Sequence, residues 1–145
     1  MSIEQTREFA AVHTELAPRA IGPYSQAFVV SQGRMVFVSG QIGIDPATAR
    51  IVRGGVAEQT QQVMHNLRSV LEAAGGSLRD MVRTTIYLKN LEDFATVNAV
   101  YASYLEVPYP ARATFEVARL PLDALVEIDA IAVVADAASD EVDDA

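Results

Sequence analysis

Val126-Glu127-Ile128-Asp129-Ala130-Ile131-Ala132-Val133-Val134-Ala135 is the stretch on which the fold turns. It is rich in β-branched residues, holds no glycine or proline, and alternates in its first half, so it reads as a β-strand. Val126, Ile128, Ala130, Ala132 and Val134 share one face, while Glu127, Asp129, Ile131 and Val133 share the other. From Ala130 on, both faces are apolar, the pattern of a strand covered on two sides. Helices are expected over the first face. Another subunit is the economical cover for the second.

Upstream, residues 112–118 form another β-rich run, joined to the last strand by a short proline-containing loop, residues 118–125. The two strands are therefore expected to be neighbours. Arg112, Thr114 and Glu116 fall on one side of the run, opposite Ala113, Phe115 and Val117. Strand parity then places both Arg112 and Glu127 on the subunit-facing side. Residues 57–74 are the clearest helix, with Val63, Met64, Leu67, Val70, Leu71 and Ala74 at three- and four-residue intervals. Gly75-Gly76 ends it. Residues 81–89 are rich in Val, Thr, Ile and Tyr and predict a strand. Asn90 is expected to cap a second helix, with Asp93 three residues on in an approximate capping box. Phe94, Val97, Tyr101, Tyr104 and Leu105 make that helix's stripe, and Pro108 stops it.

Nearer the N-terminus, residues 8–14 alternate loosely and predict a first strand. Residues 26–31 and 34–40 are two more, separated by Gln32-Gly33, which reads as a hairpin turn. Residues 43–55 read as a loop, with Asp45-Pro46 and Gly54-Gly55 as turn signals. The order β-β-β-α-β-α-β-β predicts an α+β domain, six strands in one mixed sheet with two helices on one face. One domain spans residues 1–135, with no internal repeat. Residues 136–145 form a short acidic tail expected to be disordered.

Composition narrows the function. The chain has 145 residues, half of them hydrophobic, and contains neither cysteine nor tryptophan. Disulfides, thiolate nucleophiles and cysteine metal sites are thereby excluded. His13 and His65 show no metal-ligand spacing, so no metal and no cofactor is expected. Of the net charge of −8, five units belong to Asp136, Asp140, Glu141, Asp143 and Asp144. An acidic chain without a Lys/Arg cluster is a poor match for nucleic acid. No stretch approaches a membrane span, and the polar N-terminus lacks a secretory pattern, so a cytoplasmic protein is expected.

The chemistry rests on Arg112 and Glu127. A guanidinium grips a planar carboxylate through two parallel hydrogen bonds, and a glutamate held nearby accepts a proton from water. On a generic hairpin, however, an Arg and a Glu on adjacent strands are most often a weak cross-strand ion pair. Tyr24, in Ile21-Gly22-Pro23-Tyr24-Ser25-Gln26, offers a hydroxyl to a ligand, or simply packs at a strand start. Ser39-Gly40 ends the third strand where a backbone N–H is open to close approach, or is an ordinary terminus. Asn98 is the polar residue beside the second helix's stripe, and it either satisfies backbone or borders a site. No Gly-x-Ser-x-Gly elbow, phosphate loop or glycosidase-like carboxylate pair is present.

Taken jointly, Ala17-Pro18, Ile21 to Ala27, Val38-Ser39-Gly40-Gln41-Ile42 and Asp93-Phe94-Ala95-Thr96-Val97-Asn98 resemble the RidA/YjgF/UK114 family of enamine/imine deaminases. So does Pro110-Ala111-Arg112, continued through Glu116-Val117-Ala118-Arg119-Leu120-Pro121 to Val126-Glu127-Ile128. The resemblance implies a chorismate-mutase-like subunit of a homotrimer, with a small-acid site in each intersubunit cleft. It implies that Arg112 holds the substrate carboxylate and Glu127 positions or activates water. Tyr24, Ser39, Gly40, Asn98 and Thr114 are the implied substrate-binding positions. Thr114 stands where many members have cysteine, which excludes thiol chemistry and leaves a backbone role.

The implied reaction is cofactor-independent hydrolysis of 2-imino or enamine acids, such as 2-aminoacrylate, to 2-oxo acids and ammonia. The alternatives are a 2-oxo acid binding or regulatory module without useful catalysis, and a deaminase dedicated to one pathway.

Overall fold

The structure, a computed structural model, describes residues 8–136, so the polar N-terminus and all of the acidic tail beyond Asp136 lie outside the described residues. Ten elements carry the fold. They are β1 (Glu8–Val12), β2 (Ala27–Gln32), β3 (Arg34–Ile42), β4 (Ile44–Asp45), β5 (Arg50–Ile51), α1 (Val56–Ala73), β6 (Met81–Leu88), α2 (Phe94–Ser103), β7 (Ala111–Glu116) and β8 (Val126–Val134).

The α+β class holds, but six strands do not share one sheet. Among the described residues a four-stranded mixed sheet runs β3-β8-β6-β7, and β1 with β2 forms a separate two-stranded ribbon. The expected Gln32-Gly33 hairpin is absent: β2 pairs with β1, and β3 pairs with β8. Gly33 does adopt a positive φ of 123°. As the single residue between the two strands it turns the chain onto a new course instead of folding it back. The loop expected at 43–55 contains the short β4/β5 ribbon, with Ala49 at positive φ in its turn.

A second correction concerns the last two strands. β7 and β8 are not neighbours; β6 lies between them, parallel to β7 and antiparallel to β8. The connection from Glu116 to Val126 is long enough to step over one strand. It is fastened to β6 at both ends, where Val117 N–H donates to Leu88 O (2.9 Å) and Lys89 N–H to Leu125 O (3.1 Å).

Both helices pack on one face of this sheet. Val63, Met64, Leu67 and Leu71 of α1 and Val97 and Tyr101 of α2 are fully buried against Ile86, Leu88, Val126, Ile128 and Ala130. α1 ends as the glycine pair predicts. Gly75 takes φ +90°, its N–H donates to Glu72 O (3.0 Å), and Gly76 N–H reaches back to Leu71 O (2.8 Å), a Schellman arrangement. The start of α2 differs from expectation. Asn90 caps a 3-10 turn over Leu91–Asp93, its side chain accepting from Glu92 N–H (2.9 Å), and α2 begins only at Phe94.

The other face of the sheet is bare in the single chain. Met35 is 58% exposed, Phe37 69% and Phe115 52%, all on the side away from the helices. Tyr87 and Ile131 lie on the same side and are half-buried.

Candidate functional site

Arg112 is the centre of one half of the site. Its register partner on β6 is Thr84, a fully buried residue whose hydroxyl bonds Tyr101 of α2 at 2.8 Å. Arg112 therefore points to the helix side, not to the bare face that strand parity suggested. The misreading has a clear cause. Ala113 and Phe115 are the apolar pair of β7, but Phe115 belongs to the uncovered face, where apolar residues also collect.

The guanidinium is half-buried at the edge of the sheet. Nη1 donates to Asn98 Oδ1 of α2 at 2.7 Å. The rings of Tyr101, Phe94 and Tyr24 surround Cζ at 5.5, 5.6 and 5.6 Å from their centroids. Burial pulls the Arg112 pKa below its usual value, opposed by the phenols of Tyr101 and Tyr24. Among the described residues no carboxylate pairs with it. A guanidinium has five N–H donors, so most remain available to a ligand.

Tyr24 arrives from far along the chain. Ser25 forms a parallel bridge with Ala111, and Ser25 N–H donates to Pro110 O at 3.1 Å. This ties the end of the loop ahead of β2 to the start of β7. Gln26 fixes the same loop from within. Its amide accepts from Thr14 N–H at 2.7 Å and donates to Pro18 O at 2.6 Å. Thr114, two residues past Arg112 on the same side, has a buried hydroxyl with no hydrogen-bond partner among the described residues.

Glu127 lies on the bare face, opposite Tyr87 of β6 and Ile42 of β3. The β3–β8 register slips between Val38 and Gln41, and Ser39 and Gly40 are exposed in that bulge. Gly40 has a steric reason to be glycine: a methyl built there would overlap Glu127 Oε2 and sit 2.8 Å from its Cδ. The glutamate thus lies across the bulge. Burial, then the nearby Asp129 carboxylate, pushes its pKa up.

The sequence-nominated residues therefore fall into two groups. Tyr24, Asn98, Arg112 and Thr114 gather on the helix side at the β7 edge, and Ser39, Gly40 and Glu127 on the other face. One chain does not bring the groups together. Sequence reasoning also passed over Phe94 and Tyr101 as walls of the arginine, treating them as core stripe, and did not single out Tyr87 and Asp129. Only the strand alternation that pairs Asp129 with Glu127 could have pointed to the latter. Among the described residues no group of three or more His, Asp or Glu side chains is placed to hold a metal ion.

Comparison with known proteins agrees with the architecture. The family described as Endoribonuclease L-PSP matches residues 14–134. A RutC family protein of Pyrococcus horikoshii is 52% identical over 121 residues, spanning 83% of this chain and 94% of its own. The 2-iminobutanoate/2-iminopropanoate deaminase of Bos taurus is 48% identical over 122 residues, spanning 84% of this chain and 88% of its own. The crystal structure of RidA from an Antarctic Psychrobacter superposes with a TM-score of 0.68 at 45% identity, covering 86% of this chain and 99% of the other. With a matching fold and relatives at this level of identity along most of its length, the chain belongs to the RidA/YjgF/UK114 family.

Proposed function

We propose that the protein hydrolyses reactive 2-imino or enamine acids to 2-oxo acids and ammonia, in clefts between the subunits of a homotrimer. The observation that carries this reading is Arg112: a half-buried guanidinium, oriented by Asn98 and walled by three aromatic rings, with no carboxylate partner among the described residues. Such a group is built to take a carboxylate from outside. The name of the bovine relative supplies the reaction class.

A 2-imino acid already carries an electrophilic carbon, so the protein needs only to orient it and place a water. Arg112 fixes the carboxylate. Glu127 takes a proton from the water whose oxygen adds to C2 and passes it to the imine nitrogen; the carbinolamine hydroxyl then gives up its proton to the same nitrogen through Glu127, so that ammonia leaves and the 2-oxo acid forms. Glu127 and Arg112 occupy opposite faces of one sheet, so the Glu127 that serves a given Arg112 comes from a neighbouring copy. The apolar bare face supplies the surface for that association. Tyr24, Thr114, Ser39 and Gly40 line the cleft, and closure around the small acid limits competing reactions.

A 2-oxo acid binding module using the same arginine is the rival reading. Binding needs only the Arg112 half, which a single chain possesses. Ribonuclease activity is disfavoured by a net charge of −8. An imine-decay assay separates the first two. An amino-acid oxidase generates the imine, semicarbazide traps it, and wild type is compared with Arg112→Ala. A fall in semicarbazone with wild type, reduced at least about 100-fold in the variant, matches the loss of a charge-assisted bidentate contact. No fall with wild type across several imino acids, together with 2-oxo acid binding that needs Arg112, establishes the binding module instead.

A further inference from the structure

Glu127 has no hydrogen-bond or ion-pair partner among the described residues. That is unexpected, because a phenol stands directly across from it: Tyr87 is its register partner on β6. The Tyr87 hydroxyl turns away and donates to Asp129 Oδ2 at 3.0 Å, one row along the same face. Asp129 in turn faces Thr85. The phenol directly across from Glu127 is thus held by a second carboxylate two residues away.

No other side chain among the described residues bonds Glu127. From β3, Gly40 and Ile42 approach Glu127, and neither titrates. On β6 the same row contains Arg83 before Thr85 and continues to Lys89 beyond the strand end, and both side chains are exposed. β8 contributes Asp129 alone.

We propose that Asp129 and Tyr87 are positioning residues, which together leave Glu127 unbonded and poised as the proton acceptor of the reaction. This rests on the deaminase reading above. A base must be free of competing donors and must hold protons strongly enough to take one from water. Tyr87 bonded to Glu127 would defeat both requirements by stabilising its charge. Asp129 diverts the phenol and adds a like charge beside Glu127. In an assembled cleft, a neighbouring Arg112 would act in the opposite sense, and Asp129 offsets it. A Tyr–Asp pair across strands is commonly only a structural contact. The two roles differ in what the pair does to the pH profile.

The sign is as follows. Glu127 works deprotonated, so turnover falls as pH drops through its pKa. A like charge raises that pKa. Asp129→Asn removes the charge but keeps an oxygen for Tyr87, so the acid limb of kcat/KM should move to lower pH with its plateau kept. For charges two strand residues apart on a half-exposed face, the expected movement is about half a pH unit. Asp129→Ala leaves the Tyr87 hydroxyl free to bond Glu127 and should lower kcat about tenfold, part of what a well-placed base supplies, with KM little changed. Glu127→Gln is the control.

The experiment is the pH dependence of imine hydrolysis for the three variants of the full chain, with circular dichroism to verify folding. A downward shift for Asp129→Asn and a kcat-selective loss for Asp129→Ala establish the proposal. If Glu127→Gln is inactive while the Asp129→Asn limb superimposes on wild type, the positioning role alone is overturned. If Glu127→Gln retains wild-type turnover, Glu127 is not the base, and both readings of it fall.

Discussion

The two faces of the central sheet are made of similar residues and do different work. The helix-covered face holds Ile86, Leu88, Val126, Ile128 and Ala130, all buried within the single chain. The bare face shows Met35, Phe37 and Phe115, more than half exposed in the same chain. Apolar character therefore does not distinguish them. What distinguishes them is whether the chain supplies its own cover. Each half of the candidate site belongs to one face: the Arg112 half sits where α2 meets the β7 edge, the Glu127 half where no helix reaches. The comparison teaches that one face of the sheet carries the stability of the chain while the other stays open, with the candidate site residues divided between them.

The largest effect expected belongs to the covered face. Leu67→Ala removes a fully buried side chain from the middle of α1. It should lower the stability of the chain by about 2–5 kcal/mol, measured by urea unfolding, through lost transfer energy and a residual cavity. A loss below about 1 kcal/mol would mean that this face is not the folding core.

Alkaline pH sharpens the same face. Burial pushes the Tyr101 phenol up to about 12, with the Thr84 hydrogen bond and Arg112 pulling the other way. A group whose folded pKa lies above its unfolded value stabilises fully below the unfolded value, near 10 for tyrosine. That contribution is then lost as pH rises through the folded one. The window is about pH 10 to 12. Over it the chain should lose about 2–3 kcal/mol from this group. Tyr101→Phe should flatten that part of the stability curve, followed by unfolding at several pH values.

How much of this was legible beforehand follows from the same contrast. Local signals transferred well: the α1 stripe, the Gly75-Gly76 stop and the alternation of β8 all concern residues close in sequence. Arg112 and Glu127 could be nominated because their residue types are costly inside β-rich runs. The alternation of β8 placed Glu127 on its proper face, but the face of Arg112 could not be read correctly, because the rule that apolar means helix-side fails when a second apolar face awaits cover. Phe115 misled in that way, and Arg112 was assigned to the wrong side. Sheet order was also hidden. Nothing in residues 111–134 says that β6 comes between β7 and β8, since that depends on a parallel pairing set by segments far apart. Tyr24 meets Arg112 only through the Ser25–Ala111 bridge, which no pattern within either segment encodes.

Gly40→Ala tests the seam between the halves. The added methyl overlaps Glu127 Oε2, so the carboxylate must swing away. The moving group is the end of a side chain on an exposed bulge, so the stability cost should stay near 1 kcal/mol. Turnover in the imine assay should fall about 100-fold or more, the scale of losing a positioned base. Carboxylate binding at Arg112 should persist, because that half lies on the other face. Equal losses of binding and turnover would show that the two halves are not separable.

The smallest effect on the folded chain, and the sharpest test of the contrast, is Phe37→Asp. Phe37 lies on β3 with its ring on the bare face, 69% exposed. Replacing it removes no contact of the buried core, so urea unfolding of the isolated chain should change by only about 0.5 kcal/mol. Assembly should respond differently. Within the proposed subunit interface a carboxylate on this apolar face is left desolvated and unpaired, which opposes association strongly. Sedimentation should find wild type as a trimer and Phe37→Asp as a folded monomer. Since the proposed reaction brings Arg112 and Glu127 together between copies, that monomer should lack imine hydrolysis with all seven nominated site residues intact. Full activity in a monomeric Phe37→Asp would instead place the whole reaction within one chain and remove the need for the second face.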